Sequence, residues 1–408
     1  MAKHINLTIF KNFFASSSAG GILLLICVII SLTIANTNLA DNFENLLATQ
    51  LGFENSAVQL RYPLQLWIND GLMAIFFLLV GLEIKREIIE GELSSFSHAI
   101  LPVLAAVGGV IVPACIYSYF NHNETYTSGG WGIPMATDIA FALGILSLLG
   151  KKVPSRLKIF LAALAIVDDL MAILVIAIFY SGDLHYNYLI YAGIVLVILI
   201  IFNRLRIMNV WFYILPGILM WYFIHHSGIH ATIAGVLTAL TLPTTPDDTV
   251  SPLEKLEHFL GNPVNFIIMP IFAIANTNIT FEGGMSQGLL QPLGMGIVLG
   301  LFLGKPIGIF TMSWLAVKLK IAKLPKNVDW MHVAGLGLLA GIGFTMSIFI
   351  ALLSINRPYL QAEAKFAVLI ASVFSGLAGY GFLSAYNKKN KAIKDDDDSE
   401  SDTDIESV

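Results

Sequence analysis

The chain has 408 residues, 56% of them hydrophobic and only 12% charged, with a mean hydropathy of +0.75. A soluble domain carries about 25% charged residues. The composition therefore excludes a water-soluble enzyme or a nucleic-acid partner and specifies an all-α polytopic protein in the lipid bilayer. The formal net charge of −5 hides an asymmetry: residues 395–408 (DDDDSESDTDIESV) hold eight acids and no base, and the rest of the chain is +3.

Met1 to Lys11 is polar and basic and leads directly into the first apolar stretch, without the short apolar core and small-residue cleavage site of a removable signal. A helical span needs about 20 apolar residues at 1.5 Å rise. Twelve stretches qualify: 18–37, 66–86, 98–120, 129–149, 156–180, 186–203, 208–225, 229–243, 256–279, 291–317, 331–354 and 364–386. The seventh and eighth are short. Residues 1–387 thus read as one transmembrane domain, and 388–408 as an acidic cytoplasmic tail too polar to bury a core, expected to be disordered. Cys27 and Cys115 fall inside spans and read as small apolar residues.

An even number of spans puts both termini on one side, and the lysines and arginines choose that side. With cytoplasmic termini, nineteen of the 23 bases lie inside; Arg61, Arg357 and Lys365 lie outside; Lys305 alone is within a span. A miscounted span would scramble this bias, so it supports both the count and the orientation.

The polar residues can then be placed in chain order. Asp70 (in WIND) opens span 2 near the outer face, where a helix cap is the plain reading. Glu83 and Glu87 lie one turn apart at its inner end. Span 4 reads GGWGIPMATDIAFALG, with Pro134 in its interior and Thr137 and Asp138 after it. Proline removes a backbone donor and breaks a helix. Span 5 carries two adjacent aspartates, Asp168 and Asp169, at its centre. A carboxylate at that depth costs roughly 3 kcal/mol and is by default part of an ion or proton pathway. His230 stands at the outer start of span 8, and Glu257 and His258 open span 9 at the inner face, where a solvated helix end is the plain reading. Lys305 lies halfway along span 10. Span 11 reads AGLGLLAGIGFTMSIF, with Gly341 and Gly343 weakening the helix before Thr345.

Spans 4 and 11 run in opposite directions and both break at mid-depth, so spans 3–5 and 10–12 form an inverted-topology repeat with two broken, crossing helices. Such a pair is the best sequence pointer to a transporter's ion site. Broken helices present two positive and two negative half-helix ends, each about half a charge. Asp138 would offset the first and Lys305 the second, unless Asp138 is a simple cap and Lys305 a structural counter-ion to Asp168. Hard oxygen ligands suit a hard cation; sodium or lithium could be held by Asp169, Asp168, the Thr137 hydroxyl, freed carbonyls and water. The same oxygens can bind protons instead, and two coupled carboxylates release protons in two steps. Competition for one site suffices for exchange if only loaded forms reorient. No cofactor is expected beyond the transported ions.

The segments LWINDGLMAIFFLLVGLEIKREI, ATDIAFALG, KIFLAALAIVDDL, SGIHATIAG, KLEH, GKPIGI and GIGFTMSIFIA, spread over residues 66–349, resemble the NhaA family of bacterial sodium/proton antiporters, itself a type example of inverted repeats. The resemblance implies electrogenic exchange of internal sodium or lithium for external protons in the bacterial inner membrane, activated at alkaline pH. It gives Asp169 and Asp168 the cation and proton roles, Thr137 and Asp138 the crossing-helix positions, and Lys305 the place beside the site. It makes Glu83, Glu87, Glu257 and His258 a pH sensor at a cytoplasmic funnel, and links His230 to the pH response. Departures are Gly261 where a second histidine is usual, and Pro246 and Glu254 in the preceding loop, which could shift the set point. The outer segment ENSAVQLRYPLQLW is shorter than the family's dimerising β-hairpin, which weakens the expectation of a homodimer.

Two other classes fit less well. Intramembrane aspartyl proteases place their aspartates on separate helices, one after Gly-x-Gly, whereas here the pair is adjacent and Gly341-Ile342-Gly343 is followed by Phe344. A sodium-coupled solute symporter would need an organic-substrate pocket, for which the sequence offers no candidate.

Overall fold

A computed structural model describes residues 19–55, 59–150, 153–244, 251–281 and 285–403, with side chains to Lys388. Lys3, Lys11, Lys151, Lys152 and Pro246, and the side chains of Lys389, Lys391, Lys394 and the acidic run, lie outside the described residues.

The described chain is mostly helical, and helical segments fall within each of the twelve expected spans; seven helices are long and apolar enough to cross a membrane, or up to nine if each bent pair is one span. Spans 1, 3, 5, 6 and 7 are the single helices Ala19–Ala35, Phe96–Asn121, Ser155–Phe179, Tyr186–Arg204 and Trp211–His226. Span 12 opens the helix Pro358–Thr403, whose membrane-competent part is Pro358–Lys388. Spans 2, 9 and 10 each contain a π-helical turn, at Trp67–Leu72, Val264–Ile268 and Gly300–Gly304. Span 8 is helical only over Ile233–Thr241, about 14 Å at 1.5 Å per residue, so it crosses half a bilayer core. Lys85 Nζ ties its inner end to span 2 by donating to the Leu240 and Leu242 carbonyls at 2.8 and 2.5 Å.

Span 11 divides into Trp330–Ala340 and Phe344–Ser354, bent by 48° at Gly341–Gly343, where the glycines placed the break. Span 4 differs from expectation. Its outer half, Ser128–Met135, is a 3₁₀ helix that accommodates Pro134, and the chain breaks after it, at Ala136–Asp138. The reason is a contact with span 11. The Asp138 N–H leaves the helix to donate to the Ile342 carbonyl at 2.7 Å, and the Asp138 side chain caps the inner half, Ile139–Leu148, by accepting from the Phe141 N–H.

Span 3 packs on spans 4 and 5 as span 10 packs on spans 11 and 12, and span 5 touches span 11 as span 12 touches span 4. The pattern maps onto itself when the two triplets are exchanged, as an inverted repeat requires. Spans 3 and 10 form the closest crossing. A Cβ on Gly308 would overlap the Gly108 carbonyl, and one on Gly300 or Gly304 would meet Pro134 at 2.8 Å or Pro113 at 3.0 Å. Small residues let backbones approach in a membrane, where helix association relies on packing. Around this core, Ile190, Ile194, Val197 and Ile201 of span 6 form an exposed apolar face suited to lipid. Cys27 is buried and Cys115 exposed, so Cys115 is not the core residue expected.

Two outer elements precede span 2. The chain turns by 109° after span 1 into the helix Ala40–Ala48. Strands β1 (Gln50–Leu51) and β2 (Tyr62–Pro63) then pair antiparallel, with a further bridge between Glu54 and Gln59. The short outer segment is therefore still a hairpin.

Candidate functional site

The two breaks meet and bond to each other. The Thr137 hydroxyl donates to the Ala340 carbonyl at 2.9 Å, the last residue of the inner half of span 11. In return, the Thr345 hydroxyl and its N–H, the latter at 3.2 Å, donate to Asp138 Oδ2. Asp138 Oδ1 accepts from the Phe141 N–H at 3.1 Å. One buried carboxylate thus caps the N-termini of both half-helices, where the positive ends of two helix dipoles converge. The structure thus makes Asp138 a cap, with its carboxylate at the helix ends that the sequence reading expected it to offset.

The aspartate pair is divided. Adjacent residues on a helix point about 100° apart. Asp168 Oδ2 meets Lys305 Nζ at 2.5 Å and the Thr137 hydroxyl at 2.8 Å, and Lys305 also donates to Thr137 Oγ1 at 2.9 Å. Asp168, Lys305 and Thr137 are all 0% exposed. Asp169, 2% exposed, has no hydrogen bond or ion pair among the described residues, and its Oδ1, like Asp168 Oδ1, is unpartnered. It lies within electrostatic reach of Asp168, Glu83 and Asp138. A buried carboxylate without a partner is costly, and a proton or a small cation would relieve that cost. No group of three or more His, Cys, Asp or Glu placed to hold a metal ion occurs among the described residues.

At the end of the bundle expected to face the cytoplasm, Arg86 gathers three of the expected sensor residues. Its Nε donates to both Glu257 oxygens at 3.0 Å and its terminal nitrogen meets Glu87 at 2.8 Å, with Glu83 in electrostatic reach. His258 is exposed and makes no polar contact among the described residues, so it stands apart from the cluster. Arg86 was visible only as one of many inside bases. Glu254 has a structural role: its side chain accepts from the Ser251 N–H at 2.9 Å in a capping box that starts span 9. Beside the cluster, a cavity of about 460 Å³ is lined by Glu87, Glu90, Glu92 and His98 and reaches Ala163 and Ile166 of span 5, the latter one turn before Asp169.

At the outer face, a cavity of about 700 Å³ brings Asp70 and His230 together with Trp131, Tyr180, His225 and Phe349. Asp70 does not cap a helix as the plain reading expected. It sits in the π-helical turn of span 2, with its carboxylate 3.2 Å from His225 Nδ1. His225 is a functional candidate that the sequence reading missed; its signal was the His225–His226 pair closing span 7. Neither aspartate of span 5 lines the outer or the inner cavity.

Comparison with known proteins follows the same residues. The family model described as "Na+/H+ antiporter 1" matches residues 11–383. The chain is 70% identical over 391 residues to "Na(+)/H(+) antiporter NhaA 2" of Flavobacterium johnsoniae, covering 96% of each. It is 48% identical to "Na(+)/H(+) antiporter NhaA" of Flavobacterium psychrophilum, over 95% of this chain and 98% of that one. It is 45% identical to the Caulobacter vibrioides protein of that name, over 97% and 95%. A divided buried carboxylate pair at the crossing of two broken helices, with matches over nearly the whole length, shows that this chain belongs to the Na+/H+ antiporter 1 (NhaA) family of membrane transporters.

Proposed function

We propose that this antiporter exports cytoplasmic sodium or lithium in exchange for external protons by alternating access at the Asp168–Asp169 site. The observation that carries the reading is the divided pair: Asp168 is neutralised by Lys305 while Asp169 is buried without a partner, between cavities at opposite ends of the bundle. A cation arriving from the inner cavity would be held by Asp169 with help from Asp168. Release of Asp168 from Lys305 and Thr137 supplies the second carboxylate. Two carboxylates take up two protons where one monovalent cation sat, so the exchange moves net charge and is a secondary active process driven by the membrane potential and proton gradient. Each charge moved is worth about 2.3 kcal/mol per 100 mV.

The Arg86 cluster supports regulation by pH at the inner face, because three carboxylates are gathered around one cation there. The basic inner segments support the bacterial inner membrane with both termini in the cytoplasm. The lipid bilayer is the main partner. A homodimer built on the outer hairpin would rest on strands of two residues each and be correspondingly weak.

The test is sodium- or lithium-dependent proton movement in everted vesicles across pH. Asp169→Asn should abolish it at every pH. Retained exchange would remove Asp169 from the cation site.

A further inference from the structure

The outer half of span 4 is held in place by hydroxyls from three other helices. A short 3₁₀ segment has poor internal hydrogen-bond geometry, so its position depends on these outside contacts. Tyr180, which ends the helix of span 5, is the most complete of them. Its hydroxyl donates to the Gly129 carbonyl at 2.9 Å and accepts from the Gly132 N–H at 3.1 Å. From span 3 the Tyr117 hydroxyl donates to the Thr127 carbonyl, and from span 11 the Ser347 hydroxyl donates to the Ile133 carbonyl, each at 2.7 Å. Trp131 packs edge-on to Phe179 at 5.0 Å beside the Tyr180 bonds.

The location gives these bonds a consequence. Gly129, Trp131, Phe179 and Tyr180 line the outer cavity, while the other end of the same short segment leads into Thr137 and Asp138. Tyr180 lies eleven residues beyond Asp169 on one continuous helix, about 16 Å away at 1.5 Å per residue. Ile133, Met135 and Ala136, all 0% exposed, stand between the cavity wall and the site. Separating the 3₁₀ segment from span 5 would extend the outer cavity toward the aspartates.

We propose that the Tyr180 hydroxyl is the outer latch of the transport cycle: its paired bonds to Gly129 and Gly132 keep the outer half of span 4 closed on span 5, and they break when the site opens outward. Tyr180 is a positioning residue and touches no ion. The proposal rests on the alternating-access reading above. The space around Gly132 matches it, because a Cβ there would lie 2.6 Å from the Tyr180 hydroxyl oxygen. Only glycine lets the hydroxyl approach both peptide groups.

The test measures apparent sodium affinity at each face, in everted and in right-side-out vesicles. Tyr180→Phe removes only the hydroxyl. It should shift the ratio of affinities about ten-fold in favour of the outer face, because apparent affinity follows the population of the competent state. Gly132→Ala should shift the ratio the same way by pushing the hydroxyl off. The double variant should stay close to Tyr180→Phe alone, since the 2.6 Å overlap goes with the oxygen and only the ring carbons at 3.3 and 3.4 Å remain near the new Cβ. Ile133→Cys, in a chain whose Cys27 and Cys115 are replaced by alanine, should react faster with an impermeant maleimide from outside when Tyr180→Phe is added. An unchanged ratio, equal losses at both faces, additive effects in the double variant, or unchanged labelling would each overturn the latch. Wild-type protein without any face-dependent sodium response would instead overturn the alternating-access reading itself.

Discussion

The Lys305–Asp168 pair gives the sharpest energetic prediction. Both side chains are 0% exposed, and they meet at 2.5 Å with Thr137 bridging them. Removing one partner of a buried ion pair leaves an uncompensated charge and costs about 3–5 kcal/mol, whereas replacing both partners by neutral groups of similar shape is often close to neutral. Lys305→Met keeps the length of the stem, and Asp168→Asn keeps the shape of the carboxylate and an oxygen for the Thr137 hydroxyl. Each single variant should therefore move the unfolding equilibrium in detergent by roughly two to three and a half powers of ten. The double variant should recover most of that loss; with about 1 kcal/mol remaining, the coupling energy is about 5–9 kcal/mol. Sodium-dependent proton movement should stay absent in the double variant, because stability returns without a titrating group. The assay is a double-mutant cycle on reversible unfolding, run beside vesicle transport. Additive single effects, within about 0.5 kcal/mol as for independent sites, would refute the pairing and leave Lys305 free of Asp168.

Three further perturbations follow from the same geometry. Asp138→Asn should leave a buried N–H at Phe141 or Thr345 without its acceptor, and it removes the charge facing two helix N-termini. A loss of about 2–4 kcal/mol in unfolding experiments is expected from those terms, and an unchanged midpoint would mean that the double cap carries no energy. Gly308→Ala should force spans 3 and 10 apart at the Gly108 carbonyl and cost about 1–3 kcal/mol; a stable variant with full transport would show that the crossing is looser than its backbone contacts imply. At the inner end of span 11, partial burial pushes the Asp329 carboxyl up, but hydrogen bonds from the Tyr386 hydroxyl at 2.5 Å and the His332 N–H at 2.9 Å outweigh it and leave its pKa below the ordinary value. A depressed carboxyl contributes stability that is complete above the unfolded-state value, about 3.9, and is lost as pH falls below it. Melting profiles of wild type and Asp329→Asn should therefore converge as the pH is lowered below about 4; a gap independent of pH would assign the effect to packing.

Much of the architecture was legible in the sequence because a membrane imposes a local rule. Each span must hide its own backbone polar groups in a long apolar stretch. Hydropathy and helix breakers therefore placed the helical segments and brought Asp138, Asp168, Asp169, Lys305, Gly341 and Gly343 to one level without any knowledge of packing. The tertiary structure decided what depends on helix rotation and on residues far apart in the chain. Asp168 rather than Asp169 meets Lys305, 137 residues away, since a 100° turn separates the two carboxylates. Asp138 caps a helix that begins some 200 residues later, which made the break fall beyond Pro134. The pairing of Asp70 with His225, the gathering of Glu87 and Glu257 by Arg86, and the hold of Tyr180 on span 4 likewise join segments that share no sequence pattern. Depth in the bilayer is a one-dimensional property and can be counted along the chain; the partner found at that depth is fixed only when the helices pack.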